Sequence, residues 1–118
     1  MAIHILIAIS DDQFSHVLKL FLTTEGFKVS QVQDGENAFL FIKEQSINAF
    51  IVDTSLLKMS GDTVISLLRK DQVDTPALLL ITKSPVFTGI TFKPLTPYIL
   101  YPPFHPEKII EMLLKMMA

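Results

Sequence analysis

Short apolar runs alternate with segments of helical period along the chain, and this alternation constrains the fold more than any other feature. Ile3–Ile9 reads IHILIAI, a β-branched and mostly apolar run that suits a strand covered on both faces. Asp11 or Asp12 can cap the segment that follows. There Phe14, Val17, Leu18, Phe21 and Leu22 recur at spacings of three and four, which predicts one inward helix face. Gly26 predicts a left-handed cap at the end of that helix. Phe27–Val32 reads as a second strand, Asp34-Gly35 as a turn, and Ala38, Phe39, Phe41 and Ile42 as the apolar part of a second helix. Asn48–Asp53 (NAFIVD) is a third strand that ends on a carboxylate. A loop, Thr54–Ser60, leads to a third helix opened by Gly61 and carrying Val64, Ile65, Leu67 and Leu68.

Asp74-Thr75-Pro76 introduces a fourth strand, Ala77–Ile81, and Tyr98–Tyr101 is the last. Pro106 suits the first turn of a final helix. Its Ile109, Ile110, Leu113 and Leu114 are expected to face inward, with Met112 in the core and Met116 and Met117 fraying. One stretch breaks the rhythm. Lys83–Pro97 holds Pro85, Gly89, Pro94 and Pro97 and no sustained helical period. Proline inside a helix costs about 3 kcal/mol or more, so a loop is expected where the alternation asks for a fourth helix. Strands separated by helices imply right-handed crossovers and a parallel sheet with helices on both faces. In such sheets chemistry gathers at the carboxyl ends of the strands. Asp53 lies at one such end and Ser10–Asp12 at another.

The 118 residues suit one domain, 1–118, with a single sizeable core. Hydrophobic residues are 49% and charged residues 19%, so apolar side chains are left over for a contact surface. Cysteine is absent, which excludes disulfides, thiolate metal sites and cysteine nucleophiles. His4, His16 and His105 fall at no metal-ligand spacing. The net charge is -2 with scattered Lys and Arg, so the footprint nucleic acid requires is missing. No run approaches the ~18–20 apolar residues of a membrane span. The first strand is too short for a signal-peptide core and lacks a positive leader. A soluble, cytoplasmic protein is the expectation.

Two blocks carry a resemblance. Ala49–Gly61 (AFIVDTSLLKMSG) is similar to the apolar strand, acceptor aspartate, loop and glycine of response-regulator receiver domains, and Glu25–Ala38 (EGFKVSQVQDGENA) is similar to their second strand and Asp-Gly turn. The resemblance implies a flavodoxin-like, doubly wound α/β fold with five parallel strands in the order 2-1-3-4-5. Here the fourth helix would be shortened or replaced by a proline-containing loop. It also implies a chemistry in which an aspartate takes a phosphoryl group, with Mg²⁺ held by oxygen ligands.

Carried over position by position, the resemblance makes Asp53 the phosphoacceptor and puts the backbone carbonyl of Ser55 at a metal-binding position. The acidic pair expected after the first strand is Ile9 and Ser10. Asp11 or Asp12 could reach the ion only if the loop folds back. The family's Thr or Ser is Ile81, with Thr82 beside it. The aromatic switch position is Ile99. The Lys of Lys-Pro-Phe is Pro102, in Pro102-Pro103-Phe104; the family's cis bond there can persist as Pro102-Pro103. Lys58 or Lys83 could supply the missing cation from a neighbouring loop, although no spacing singles out either.

The expectation is therefore a pseudo-receiver: a protein-interaction module, not an enzyme, binding Mg²⁺ weakly if at all. Phe87, Phe92, Tyr98, Tyr101 and Phe104 are its candidate interaction surface. Its partner would be a histidine kinase, a downstream regulator or a second copy; neither nucleic acid nor membrane is expected. The alternative is a phosphoacceptor switched at Asp53. A hydrolase would need a carboxylate two residues beyond its nucleophile, where Ser55 stands.

Overall fold

The computed structural model describes residues 2–82 and 95–118. The stretch expected to replace the fourth helix falls outside them from Lys83 to Pro94, and so do Phe87 and Phe92. The elements run β1 (His4–Ala8), α1 (Asp12–Thr24), β2 (Lys28–Val32), α2 (Gly35–Glu44), β3 (Ala49–Asp53), α3 (Gly61–Lys70), β4 (Ala77–Leu80), β5 (Tyr98–Leu100) and α4 (Pro106–Met116). The strands form one parallel sheet in the order β2-β1-β3-β4-β5. Each strand is one or two residues shorter than the sequence suggests, with Ile3, Ile9, Phe27, Asn48, Ile81 and Tyr101 flanking the strands.

Side-chain alternation sorts each run onto the two faces of the sheet. Ile5, Ile7, Ile9, Ala49, Ile51, Leu78 and Leu80 pack on one face with Leu18 and Leu22 of α1 and Ile109 and Leu113 of α4. Leu6, Ala8, Phe50, Val52, Leu79 and Ile81 pack on the other with Ala38, Ile42, Val64, Ile65 and Leu68 of α2 and α3. A two-faced core explains why the strands show no polar alternation. Each Ile, Leu, Val or Phe side chain so buried contributes about 1.5–3 kcal/mol.

Two helix faces depart from expectation. On α1 the sheet-facing stripe is Ser15, Leu18 and Leu22, while Val17 and Phe21 are 44% and 38% exposed. On α4 it is Ile109, Leu113 and Met116, while Leu114 is 56% exposed. Met116 therefore packs where fraying was expected. A helix laid on a sheet buries a narrow stripe, and apolar residues one step around the helix remain outside it. Gly26 has φ +96°, the left-handed value its place after α1 requires. The turn from α3 into β4 is held by Arg69, whose guanidinium donates to the carbonyls of Val73 at 2.7 Å and Thr75 at 2.9 Å. Burial pulls the Arg69 pKa below its ordinary value, and nearby Asp74 opposes that shift. Among the described residues no helix is long and apolar enough to cross a membrane.

Candidate functional site

Parallel strands aim their carboxyl ends at one rim, and β3, central in the sheet, delivers Asp53 to it. The side chain is fully buried. Its Oδ2 accepts from the backbone N–H of Ser10 at 2.7 Å and from the Ser10 hydroxyl at 2.9 Å. Its Oδ1 accepts from the backbone N–H of Ser55 at 2.8 Å. Three donors thus converge on one carboxylate, from the end of β1 and from the loop after β3. Gly61 fits closely behind it: an added Cβ there would lie 2.5 Å from the Asp53 carbonyl oxygen.

A hydroxyl cluster adjoins the carboxylate. Thr82 lies one residue past Ile81, and its Oγ1 is 2.5 Å from Ser55 Oγ and 3.3 Å from Thr54 Oγ1. The Thr82 N–H donates to Thr54 Oγ1 at 3.0 Å. Ile81 itself is buried in the α2–α3 side of the core. At this strand end the hydroxyl that reaches the rim is therefore that of Thr82.

Asp11 and Asp12 separate. Asp11 caps α1, its Oδ1 accepting from the Phe14 N–H at 3.1 Å. It lines a hollow of about 210 Å³ together with Ile9, Phe14, Asp53, Leu80, Thr82 and Phe104. Asp12 opens α1 and lines a different hollow with Ser15, His16, Gln31 and Gln33. The split follows from the helix start: Asp11 is the extended N-cap outside α1, and Asp12 is its first helical residue. The Pro102-Pro103 bond is cis, both prolines are exposed, and Phe104 turns in beneath them. There Phe104 meets Phe14, with ring centroids 6.1 Å apart. Ile99 is half-buried against the α2–α3 side of the core. Tyr98 packs against the opposite side, and Tyr101 is 64% exposed. Lys58 pairs at 3.6 Å with Asp34 at the start of α2.

The described residues offer a divalent ion few protein ligands. Mg²⁺ demands near-octahedral oxygen ligation at about 2.0–2.1 Å. Asp53 is fully buried and accepts three hydrogen bonds, and the one other carboxylate among the described residues at the hollow, Asp11, uses one oxygen to cap α1. Among the described residues no three acidic or histidine side chains gather as a metal cluster. Sequence reasoning saw Ile9 and Ser10 as lost acids. It missed that Ser10 donates to Asp53, that the Thr82 hydroxyl reaches Ser55, and that Phe14 meets Phe104. The shift of a hydroxyl from Ile81 to Thr82 was the one legible signal.

The comparisons agree with this architecture. A family model described as response regulator receiver domain matches residues 5–113. The transcriptional regulatory protein SrrA of Staphylococcus aureus is 29% identical over 83 residues, covering 70% of this chain and 34% of that protein. The chain thus spans about a third of the length of that relative. Among solved structures, the Francisella response regulator 1452 receiver domain superposes with a TM-score of 0.88 at 19% identity, covering 97% of this chain and 95% of its own. A putative response regulator from Chloroflexus aurantiacus superposes with a TM-score of 0.87 at 24% identity, covering 100% and 99%.

Proposed function

This chain belongs to the response regulator receiver domain family, and on that premise we propose that it is a pseudo-receiver: a protein-interaction module in which Asp53 serves the fold instead of accepting phosphate. The observation that carries this reading is the closure of Asp53 by Ser10 and Ser55 at 2.7, 2.9 and 2.8 Å. Phosphoryl transfer to a carboxylate needs an oxygen free to attack, a dication to bridge the incoming oxygens, and a cation for the developing charge. In this chain Ile9 and Ser10 stand where the family's acids do, and Pro102 where its lysine does. Removing one group that stabilises a transition state commonly costs ~10²–10³ in rate, and here several are missing together.

The module works by contact and not by catalysis. Its partner is a histidine kinase, a downstream regulator or a second copy of the chain, and its compartment is the cytoplasm. The exposed Tyr101 and the half-buried Tyr98 and Phe104 belong to its contact surface. The rival reading, a slow phosphoacceptor, draws on Thr82, which lines the same hollow as Asp53 and whose hydroxyl meets that of Ser55. Titration with Mg²⁺ and then beryllofluoride, followed by amide chemical shifts, separates the two. The pseudo-receiver leaves the amides of Ser10, Asp53 and Ser55 unmoved at magnesium levels that saturate ordinary receivers. Saturable shifts centred on Asp53 overturn it.

A further inference from the structure

The substitutions that remove ion-binding chemistry also build something. The hollow beside Asp53 has apolar walls: Ile9, Phe14, Leu80 and Phe104. Ile9 occupies one of the two positions where the family carries its acids, so the substitution that weakens metal binding supplies a wall. Phe104, just past the Pro102-Pro103 turn, supplies the wall facing Phe14. The polar residues of the described lining are Asp11, Asp53 and Thr82. Both charged residues among the described lining are acids. Asp11 commits Oδ1 to the Phe14 N–H, and no hydrogen bond to its Oδ2 is found among the described residues.

An apolar chamber with a few convergent polar groups is the usual form of a small-molecule site. At about 210 Å³ the space suits a fragment and not a nucleotide. Charge selects the class. Among the described lining residues an anion would face two carboxylates, whereas a cation gains from both, and an apolar body fills the space between the phenyl rings. The geometry points to a binding site for a small protonated amine with an aromatic or branched apolar body. Its ammonium donates to Asp11 Oδ2 and to the Thr82 hydroxyl, and its body lies against Ile9, Phe14, Leu80 and Phe104. This rests on the reading of Asp53 as a carboxylate retained for structure, since a phosphorylated or magnesium-loaded site would occupy the same space.

Three probes on one phenyl–two-carbon frame test it: phenethylamine, phenethyl alcohol and phenylacetate, each titrated into labelled protein and followed by amide chemical shifts. Phenethylamine should give saturable shifts at Ile9, Ser10, Thr82 and Phe104, with the alcohol about fivefold weaker and phenylacetate weaker still. Asp11→Asn preserves an N-cap residue and so the helix, and should weaken the amine about fivefold while leaving the alcohol unchanged. Phe104→Ala should weaken amine and alcohol alike, on the order of tenfold. Absence of saturable shifts, equal affinity for the three probes, or indifference to Asp11→Asn overturns the proposal. Phosphorylation of Asp53 is read in a separate experiment, so failure here and failure of the pseudo-receiver reading remain distinguishable.

Discussion

Asp53 receives its donors from two places 43 and two residues away in sequence, Ser10 and Ser55, and neither is a charged partner. A buried carboxylate is tolerable only when it is hydrogen-bonded, and here two N–H groups and one O–H group donate to it. The arrangement makes Asp53 an acceptor that other groups depend on. Asp53→Ala should therefore destabilise the protein by about 1–3 kcal/mol, taking the acceptor from the part-buried N–H groups of Ser10 and Ser55, as measured by urea unfolding. Ser10→Ala deletes only the hydroxyl bond and should cost about 1–2 kcal/mol in the same assay. If Asp53→Ala is neutral or stabilising, the carboxylate is not structural. Much at this scale was legible in the sequence: Ile9, Ser10, Ile81 and Pro102 each stand where the resemblance expects a different chemistry. What was not legible was direction. A serine in an acid's place reads as a loss, and only the fold shows it turning its hydroxyl and amide onto Asp53 across the sheet.

At the scale of elements, the loop after β3 is clamped to the start of α2. Leu57 pairs with Asp34 in an isolated parallel bridge, and the Gly35 N–H donates to the Leu57 carbonyl at 3.1 Å. Asp34 caps α2 through the Asn37 N–H at 2.8 Å and also meets Lys58, which has φ +66°. The approach is so close that a Cβ on Gly35 would lie 1.6 Å from the Met59 carbonyl oxygen. Gly35→Ala must displace backbone on one side and should cost more than about 2 kcal/mol by chemical unfolding, with amide shifts spreading through Leu57–Met59. A neutral variant with unshifted spectra would contradict the clamp. The Asp-Gly pair was visible in the sequence as a turn, but its contact partner was not, because nothing in Thr54–Ser60 marks the backbone that comes to rest on it. The outward positions of Val17, Phe21 and Leu114 were hidden for a related reason. Period fixes which residues share a helix face, while the width of the buried stripe is set by the sheet beneath.

Across the whole molecule, one parallel sheet divides two apolar layers of similar make-up, α1 and α4 on one side and α2 and α3 on the other. Alternation of strand and helix, together with uninterrupted apolar strands, was enough to read this from sequence, since both features follow from covering a sheet twice. Leu78 and Leu79 are neighbours on β4 that face opposite layers, and both are fully buried. Leu78→Ala and Leu79→Ala should each cost about 2–5 kcal/mol and each leave a single cooperative unfolding transition, because the layers share the same strands. Two transitions in either variant would mean that the layers fold separately. The central claim concerns the rim where those strands end, and intact-mass measurement after incubation with acetyl phosphate and Mg²⁺ tests it most directly. The closed carboxylate predicts a protein of unchanged mass under conditions that label an ordinary receiver. A species heavier by one phosphoryl group, lost in Asp53→Asn, would contradict it.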